Sequence, residues 1–325
     1  MAYQRGKMST AVITTEIKKK KKLARNTLLG YFWYHRYIYL LLIPAIVYYF
    51  TFHYLPMYGA TIAFKNFNIM KGILGSPWAG LKYFELIFAL DKFWRVFRNT
   101  IVISLLRISV GFPVPIIAAI LLNEMRSIAV KRAIQTLIYL PHFISWVILG
   151  GILVNLLSVN GGAINQVIMR ITGEPIGFLT DPKYFRGTII FSMVWKEYGW
   201  GTVIYMATLA GIPAELYESA AMDGASRLQR IWHITFPHMV SVIVVLLILR
   251  VGRMMQAGFE QIFVLYHPAV YSVIDILDTY VYRIGFADGK FSQATAVGLF
   301  RSTVNFILLV SANKVAKSVG QHGIY

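Results

Sequence analysis

Five cations and one acid lie inside stretches that are otherwise apolar: Arg107, Lys196, Arg250, Arg253 and Arg301, against Glu197. A charge in lipid is costly, so such a side chain faces a cavity or a partner. Lys196 and Trp200 are one helical turn apart, as are Arg250 and Met254, which puts each pair on one face. An arginine fork holds a carboxylate through two parallel N–H bonds, and an indole ring supplies a flat apolar surface. Covalent chemistry has no comparable support. Gly285-Phe-Ala-Asp-Gly-Lys290 is one residue short of a phosphate loop and is followed by Phe291. No HExxH helix or GxSxG elbow occurs. His142, His233 and His238 stand apart from acidic residues, so they read as loop or interface residues and no metal site is expected. The chain has no cysteine, which removes disulfides, thiolate metal sites and thiol nucleophiles.

Composition decides what positions these groups. Of 325 residues, 57% are hydrophobic and only 14% charged, where a soluble chain carries about a quarter. The chain is therefore expected to be an all-α membrane protein. Runs of about twenty apolar residues mark six spans: Tyr37 to Tyr54, Thr100 to Leu122, Ile134 to Leu157, Thr188 to Ala210, Val240 to Ala257 and Ala294 to Ala312. They divide the chain into a basic tail 1–36, a transmembrane domain 37–312 with a loop at 211–239, and a tail 313–325. The long polar N-terminus does not read as a cleavable signal. With that terminus inside, the internal segments hold sixteen Lys and Arg against five acids, and the external loops eleven against eight. This asymmetry, anchored by Lys18 to Lys22, places both termini in the cytoplasm. The net charge of +18 is read as cytoplasmic loops against anionic lipid, not as nucleic-acid binding.

Residues 211 to 237, between the fourth and fifth spans, read as helix, bend, helix. Pro213 suits a helix start, and Glu215 and Glu218 complement the positive end of its dipole. Ala220 and Ala221 leave a smooth surface for close approach, and Asp223-Gly224 ends the helix. Ser226 to Gln229 has the spacing of a capping box opening a second short helix, and Pro237 precedes the next span. Read from spacing alone, an ordinary amphipathic connector remains open.

The stretch Glu218-Ser-Ala-Ala-Met-Asp-Gly224-Ala, followed by Ile234-Thr-Phe-Pro237, resembles the EAA loop of binding-protein-dependent ABC importer permeases. Ser219 and Phe236 stand where the family pattern has Ala and Leu. Pro77-Trp78-Ala79-Gly80-Leu81-Lys82-Tyr83-Phe84 is similar to an external element of sugar permeases, and Asn99-Thr100 and Leu140-Pro141 also fit. The chain looks like a maltose-class permease, near those for oligosaccharides from complex polysaccharides of alginate or pectin type.

The resemblance implies a type I importer fold in a bacterial cytoplasmic membrane, with a cytoplasmic coupling loop docked on an ATPase. Glu218, Ala221, Asp223, Gly224 and Pro237 would form the contact, with Arg227 added. It implies a second permease subunit, two ATPase subunits that bind ATP and Mg, and an external solute-binding protein. This chain would hold no cofactor and would not be an enzyme. In such permeases the sugar meets the helices flanking the coupling loop. That makes Lys196, Trp200, Arg250, Arg253 and Met254 the expected path, and an acidic, uronate-containing oligosaccharide the expected cargo. The same residues also fit a neutral oligosaccharide, with Arg107 and Arg301 snorkelling, Arg250 and Arg253 paired to the partner subunit, and Lys196 paired to Glu197. An ion-driven secondary transporter fits less well, because Glu197 is the lone intramembrane acid. A membrane-embedded enzyme or scaffold would not need the bent loop.

Overall fold

The computed structural model describes residues 28–318 and 320, with side chains from Tyr31 onward. Most of the expected tail 1–36, including Lys18 to Lys22, lies outside the described residues, as does the chain from 321. Among the described residues, helices dominate, and strand pairing is limited to an isolated antiparallel bridge between Lys65 and Trp78.

Contacts divide the chain at Thr61. In the first unit, α1 (Leu28–Tyr34) leads into α2 (Arg36–Tyr49), which continues through a π turn at Phe50–Tyr54. Pro44 lies inside α2 without breaking it, and no residue of α2 is buried.

The second unit begins with α3 (Lys82–Phe88), α4 (Asp91–Ser109) and α5 (Pro113–Asn123). Then come α6 (Ile128–Tyr139), α7 (Trp146–Leu157), α8 (Ala163–Thr172) and α9 (Pro182–Ala210). The loop helix α10 (Ala214–Met222) is followed by α11 (Arg227–Gly252), α12 (Phe259–Leu265), α13 (Leu277–Tyr282) and α14 (Phe291–Ser318). Caps explain several boundaries. The Ser127 hydroxyl accepts from the Val130 N–H at 3.4 Å, and the Asp181 carboxylate from the Lys183 N–H at 2.8 Å, with Pro182 opening α9.

Among the described residues, four helical runs are long and apolar enough to cross a membrane, or five if α6 and α7 count as one. α9, at 29 residues, is long enough but more polar, with Lys196 and Glu197 inside it. Several expected boundaries need correction. The third span, expected as one rod over 134–157, is two helices at 99°. Pro141 lies in the 3-10 turn Leu140–Phe143, and Ser145 starts α7 afresh by accepting from the Ile148 N–H at 3.3 Å. The fifth span, expected to reach Ala257, ends at Gly252, leaving Arg253 as the helix cap. The sixth runs on to Ser318, into the expected tail 313–325.

α9 is the hub of this unit, packing against α4, α5, α6 and α11. Helices in lipid pack through close backbone approach at small residues rather than through the hydrophobic effect. Gly199 shows how close: a Cβ there would lie 1.9 Å from the Ile138 carbonyl oxygen of α6. Around this contact the buried side chains fall into three groups. One joins Phe93 and Val96 of α4 to Leu277, Tyr280 and Val297. A second gathers Ile103, Phe185, Ile189 and Ile262. The third joins Ala119, Tyr205 and Leu209 to Met239, below the bent loop.

Candidate functional site

The register of α9 decides which side chains meet. Glu197, Gly201, Ile204 and Tyr205 follow the i, i+4, i+7, i+8 spacing of one helical stripe, and all four line a cavity of about 570 Å³. α4 contributes Arg107 to its wall, and α11 and its cap contribute Arg250 and Arg253, with Met254 next to them. Glu197 stands between two of the arginines. Its Oε1 lies 3.5 Å from Arg107 Nη2, and its Oε2 lies 3.8 Å from Arg250 Nη2. Arg253 has no carboxylate within ion-pair distance among the described residues, so three arginines share one acid here.

Arg107 is held by more than Glu197. Its Nη1 donates to Gln261 Oε1 at 2.8 Å and to the Ala257 carbonyl at 3.4 Å. Gln261 is buried, and its amide donates to the Ile189 carbonyl at 2.7 Å and the Ser192 hydroxyl at 2.9 Å. Ser104 donates to the Met254 carbonyl, and Asn305 of α14 accepts from the Met255 N–H at 2.9 Å. These bonds fasten the chain beyond α11 where its helical ladder has ended. A second cavity of about 610 Å³ lies against the first and shares Arg107, Glu197 and Gln256 with it. Its wall is more aromatic, with Trp146, Phe259, Tyr282 and Phe286. Arg301, which would snorkel in the neutral-sugar alternative, borders this second cavity and pairs with Asp278.

Lys196 and Trp200 belong to the neighbouring stripe of α9, about 100° around, and do not line the arginine cavity. Lys196 is 6% exposed, and its Nζ donates to the His142 carbonyl at 2.7 Å and sits 5.5 Å from the Trp146 ring centroid. It therefore does not pair with Glu197. Trp200 stacks on the His142 ring at 4.8 Å and 4°. Both residues serve the break between α6 and α7, where a carbonyl has lost its helical donor.

The bent loop between α9 and α11 carries caps at each end of its bend. Gly224 has φ +79, the Gly224 N–H donates to the Ala221 carbonyl at 3.1 Å, and the Ala225 N–H donates to the Ala220 carbonyl at 2.9 Å. This is a Schellman ending with glycine at its left-handed position. The capping box follows: the Ser226 N–H donates to Gln229 Oε1 at 2.7 Å, and the Gln229 N–H to Ser226 Oγ at 3.4 Å. The second helix differs from the expected short piece. It runs on through a π turn at Ile231–Thr235 and past Pro237 into the membrane run as one 26-residue helix, α11. Pro237 sits in the first turn after that π turn, where a missing N–H is tolerated. Glu218, Ala221, Asp223, Gly224, Arg227 and Pro237 are all exposed. The Tyr217 hydroxyl meets the buried Thr235 hydroxyl at 3.0 Å and ties α10 to α11.

In the segment between α12 and α14, Asp275 binds Arg283 at 2.5 Å and accepts from Thr279 at 2.8 Å. Burial disfavours the Arg283 cation most strongly of any single cause, but the hydrogen bond and charge of Asp275, together with Tyr266 and Tyr271, outweigh it and raise the pKa above the ordinary arginine value. Asn99 and Arg186 hold the carbonyls of Ser272 and Val273 at 3.1 and 3.0 Å, fixing this segment to α4 and α9.

The placement of Lys196 is testable. Lys196→Met removes the donor to the part-buried His142 carbonyl and is expected to destabilise the chain by roughly 1–3 kcal/mol. Thermal unfolding in detergent should show an earlier transition. Unchanged stability with selective loss of carboxylate recognition would return Lys196 to the cavity.

Comparison with known proteins identifies the family. Residues 111–321 match the family model described as the binding-protein-dependent transport system inner membrane component. The chain is 45% identical over 305 residues to the polygalacturonan/rhamnogalacturonan transport system permease protein YteP of Bacillus subtilis, covering 94% of this chain and 95% of that one. It is 47% identical over 290 residues to protein LplB of the same organism, covering 89% and 91%. A solved bacterial ABC transporter involved in the import of the acidic polysaccharide alginate has a chain that superposes with a TM-score of 0.84 at 38% identity, covering 90% of this chain and 99% of that one. A second, in complex with its alginate pentasaccharide-bound periplasmic protein, gives 0.85 at 37% identity, covering 91% and 99%. The chain belongs to the family of binding-protein-dependent transport system inner membrane components.

Proposed function

We propose that this chain is the transmembrane subunit of an ATP-driven importer and passes an acidic, uronate-containing oligosaccharide. The observation that carries the cargo is the cavity in which three arginines face one carboxylate. Left alone, that excess of positive charge is costly inside a membrane, and a substrate carboxylate offsets it. The related proteins named for polygalacturonan and rhamnogalacturonan, and for alginate, carry acidic sugars in their names, which supports the same reading.

The path in this reading is Arg107, Arg250, Arg253 and Met254, with the aromatic cavity next to it. Trp200 and Lys196 contribute by holding the bend between α6 and α7. Six spans with both termini cytoplasmic place the bent loop on the cytoplasmic face. There Glu218, Ala221, Asp223, Gly224, Arg227 and Pro237 meet a separate ATPase, which binds ATP and Mg. Because α11 is one helix from the bend onward, a push on the loop reaches Arg250 along a rigid element. A second permease subunit, a second ATPase and an external binding protein complete the machine.

Two experiments follow from this reading. Gly224→Val forces a branched side chain into a left-handed conformation, at a cost of about 1–2 kcal/mol, on a surface a partner approaches closely. It should abolish copurification with the ATPase while the isolated chain still folds, losing no more stability than that strain; an intact complex would refute the coupling assignment. In the reconstituted importer, uronate oligosaccharides should stimulate ATP hydrolysis more than neutral ones of equal length. Arg250→Ala should weaken the uronate response roughly tenfold to a hundredfold, in line with loss of a charge-assisted bond. Equal stimulation by neutral sugars, or an unaffected Arg250→Ala variant, would instead favour a neutral cargo.

A further inference from the structure

We propose that Glu197 is a resident stand-in for the substrate carboxylate, closing the junction between the two cavities until a uronate takes its place on the arginines. This rests on the acidic-oligosaccharide reading above.

Position is the first support. Glu197, Arg107 and Gln256 line both cavities, so the carboxylate borders the aromatic chamber and the arginine chamber at once. In the proposed path a sugar chain that contacts both chambers meets it.

The second support is how loosely Glu197 is held. Its oxygens stand 3.5 and 3.8 Å from the two guanidinium groups, whereas Asp275 and Arg283 of the same chain meet at 2.5 Å. The Glu197 side chain keeps 36% of its exposure. A long, partly hydrated pair is weak and exchanges with another carboxylate of similar chemistry. Arg107, in contrast, stays in place without Glu197. Its bonds to Gln261 and the Ala257 carbonyl fix the guanidinium, and Gln261 is fixed in turn by Ile189 and Ser192. The fork is preorganised, and the acid facing it is the replaceable part.

The third support is which helices the carboxylate joins. Glu197 is on α9 and Arg250 on α11, the two helices that the bent loop connects. Exchange of Glu197 for a substrate carboxylate removes a direct tie between them, so the presence of an acidic sugar changes how freely α11 moves against α9. The stand-in thus discriminates by charge: a neutral sugar has nothing to exchange.

The test uses the complete importer, with its second permease subunit, ATPases and binding protein, in proteoliposomes. ATP hydrolysis is titrated with a galacturonate trisaccharide and with maltotriose. Removing the competitor in Glu197→Gln should lower the concentration for half-maximal uronate stimulation roughly twofold to fivefold and raise hydrolysis without sugar. Glu197→Asp keeps the charge on an arm shorter by one methylene and should shift both in the same direction by less, which preserves the comparison if the Gln variant does not assemble. A half-maximal concentration that is unchanged or higher in both variants, while wild type responds to the uronate, overturns the stand-in role alone. A wild-type importer that ignores the uronate removes the substrate reading, and this inference with it.

Discussion

A charge inside a bilayer must be neutralised, hydrated or spent on a ligand, and the membrane-embedded half of this chain is organised by how few acids it has to do so. Glu197 divides itself between Arg107 and Arg250, and Arg253 is left without a carboxylate. Elsewhere the same chain pairs its charges closely: Arg283 with Asp275, and Arg301 with Asp278. Among the residues lining the arginine cavity, Glu197 is the one acid. Around it, side-chain amides do the fixing, with Gln261 holding Arg107 and Asn305 holding the backbone at Met255.

The same helix connects this cavity to the loop. α9 carries Glu197 near its middle, Tyr205 on the cavity wall and Leu209 in the core group beneath the bend. α11 leaves the bend and reaches Arg250 without interruption, apart from one π turn. Such turns recur at functional positions because they shift the helical register without ending the helix. Here Thr235 in that turn meets Tyr217, so the loop is fastened to α11 where the helix is least regular. A displacement of the bend is shared by the two helices that present Glu197 and Arg250.

What could be read from the sequence was what local physics determines. The bend at Asp223-Gly224 and the capping box at Ser226 depend on neighbours within a few residues, and both bonds of the box are present. The intramembrane charges were equally visible. The face each one presents was not, because residues 196 and 197 differ by about 100° on α9 and only packing decides which stripe meets the cavity. Lys196 was drawn to the His142 carbonyl by a break between α6 and α7 that an apolar run conceals. Pro141 and Ser145 were its visible traces, but membrane helices often accept proline without bending so far. The partners Gln261 and Ser104 are polar residues whose contacts cross 150 or more positions, and no spacing rule reaches that distance.

If Glu197 holds the place of a sugar carboxylate on the arginines, a structure of the assembled importer trapped with a uronate oligosaccharide inside the membrane will show the exchange. A sugar carboxylate should then lie within hydrogen-bond distance of Arg107 and Arg250, with Glu197 turned away from both. A sugar lying against Lys196 and Trp200, with Glu197 still between the two arginines, would contradict it.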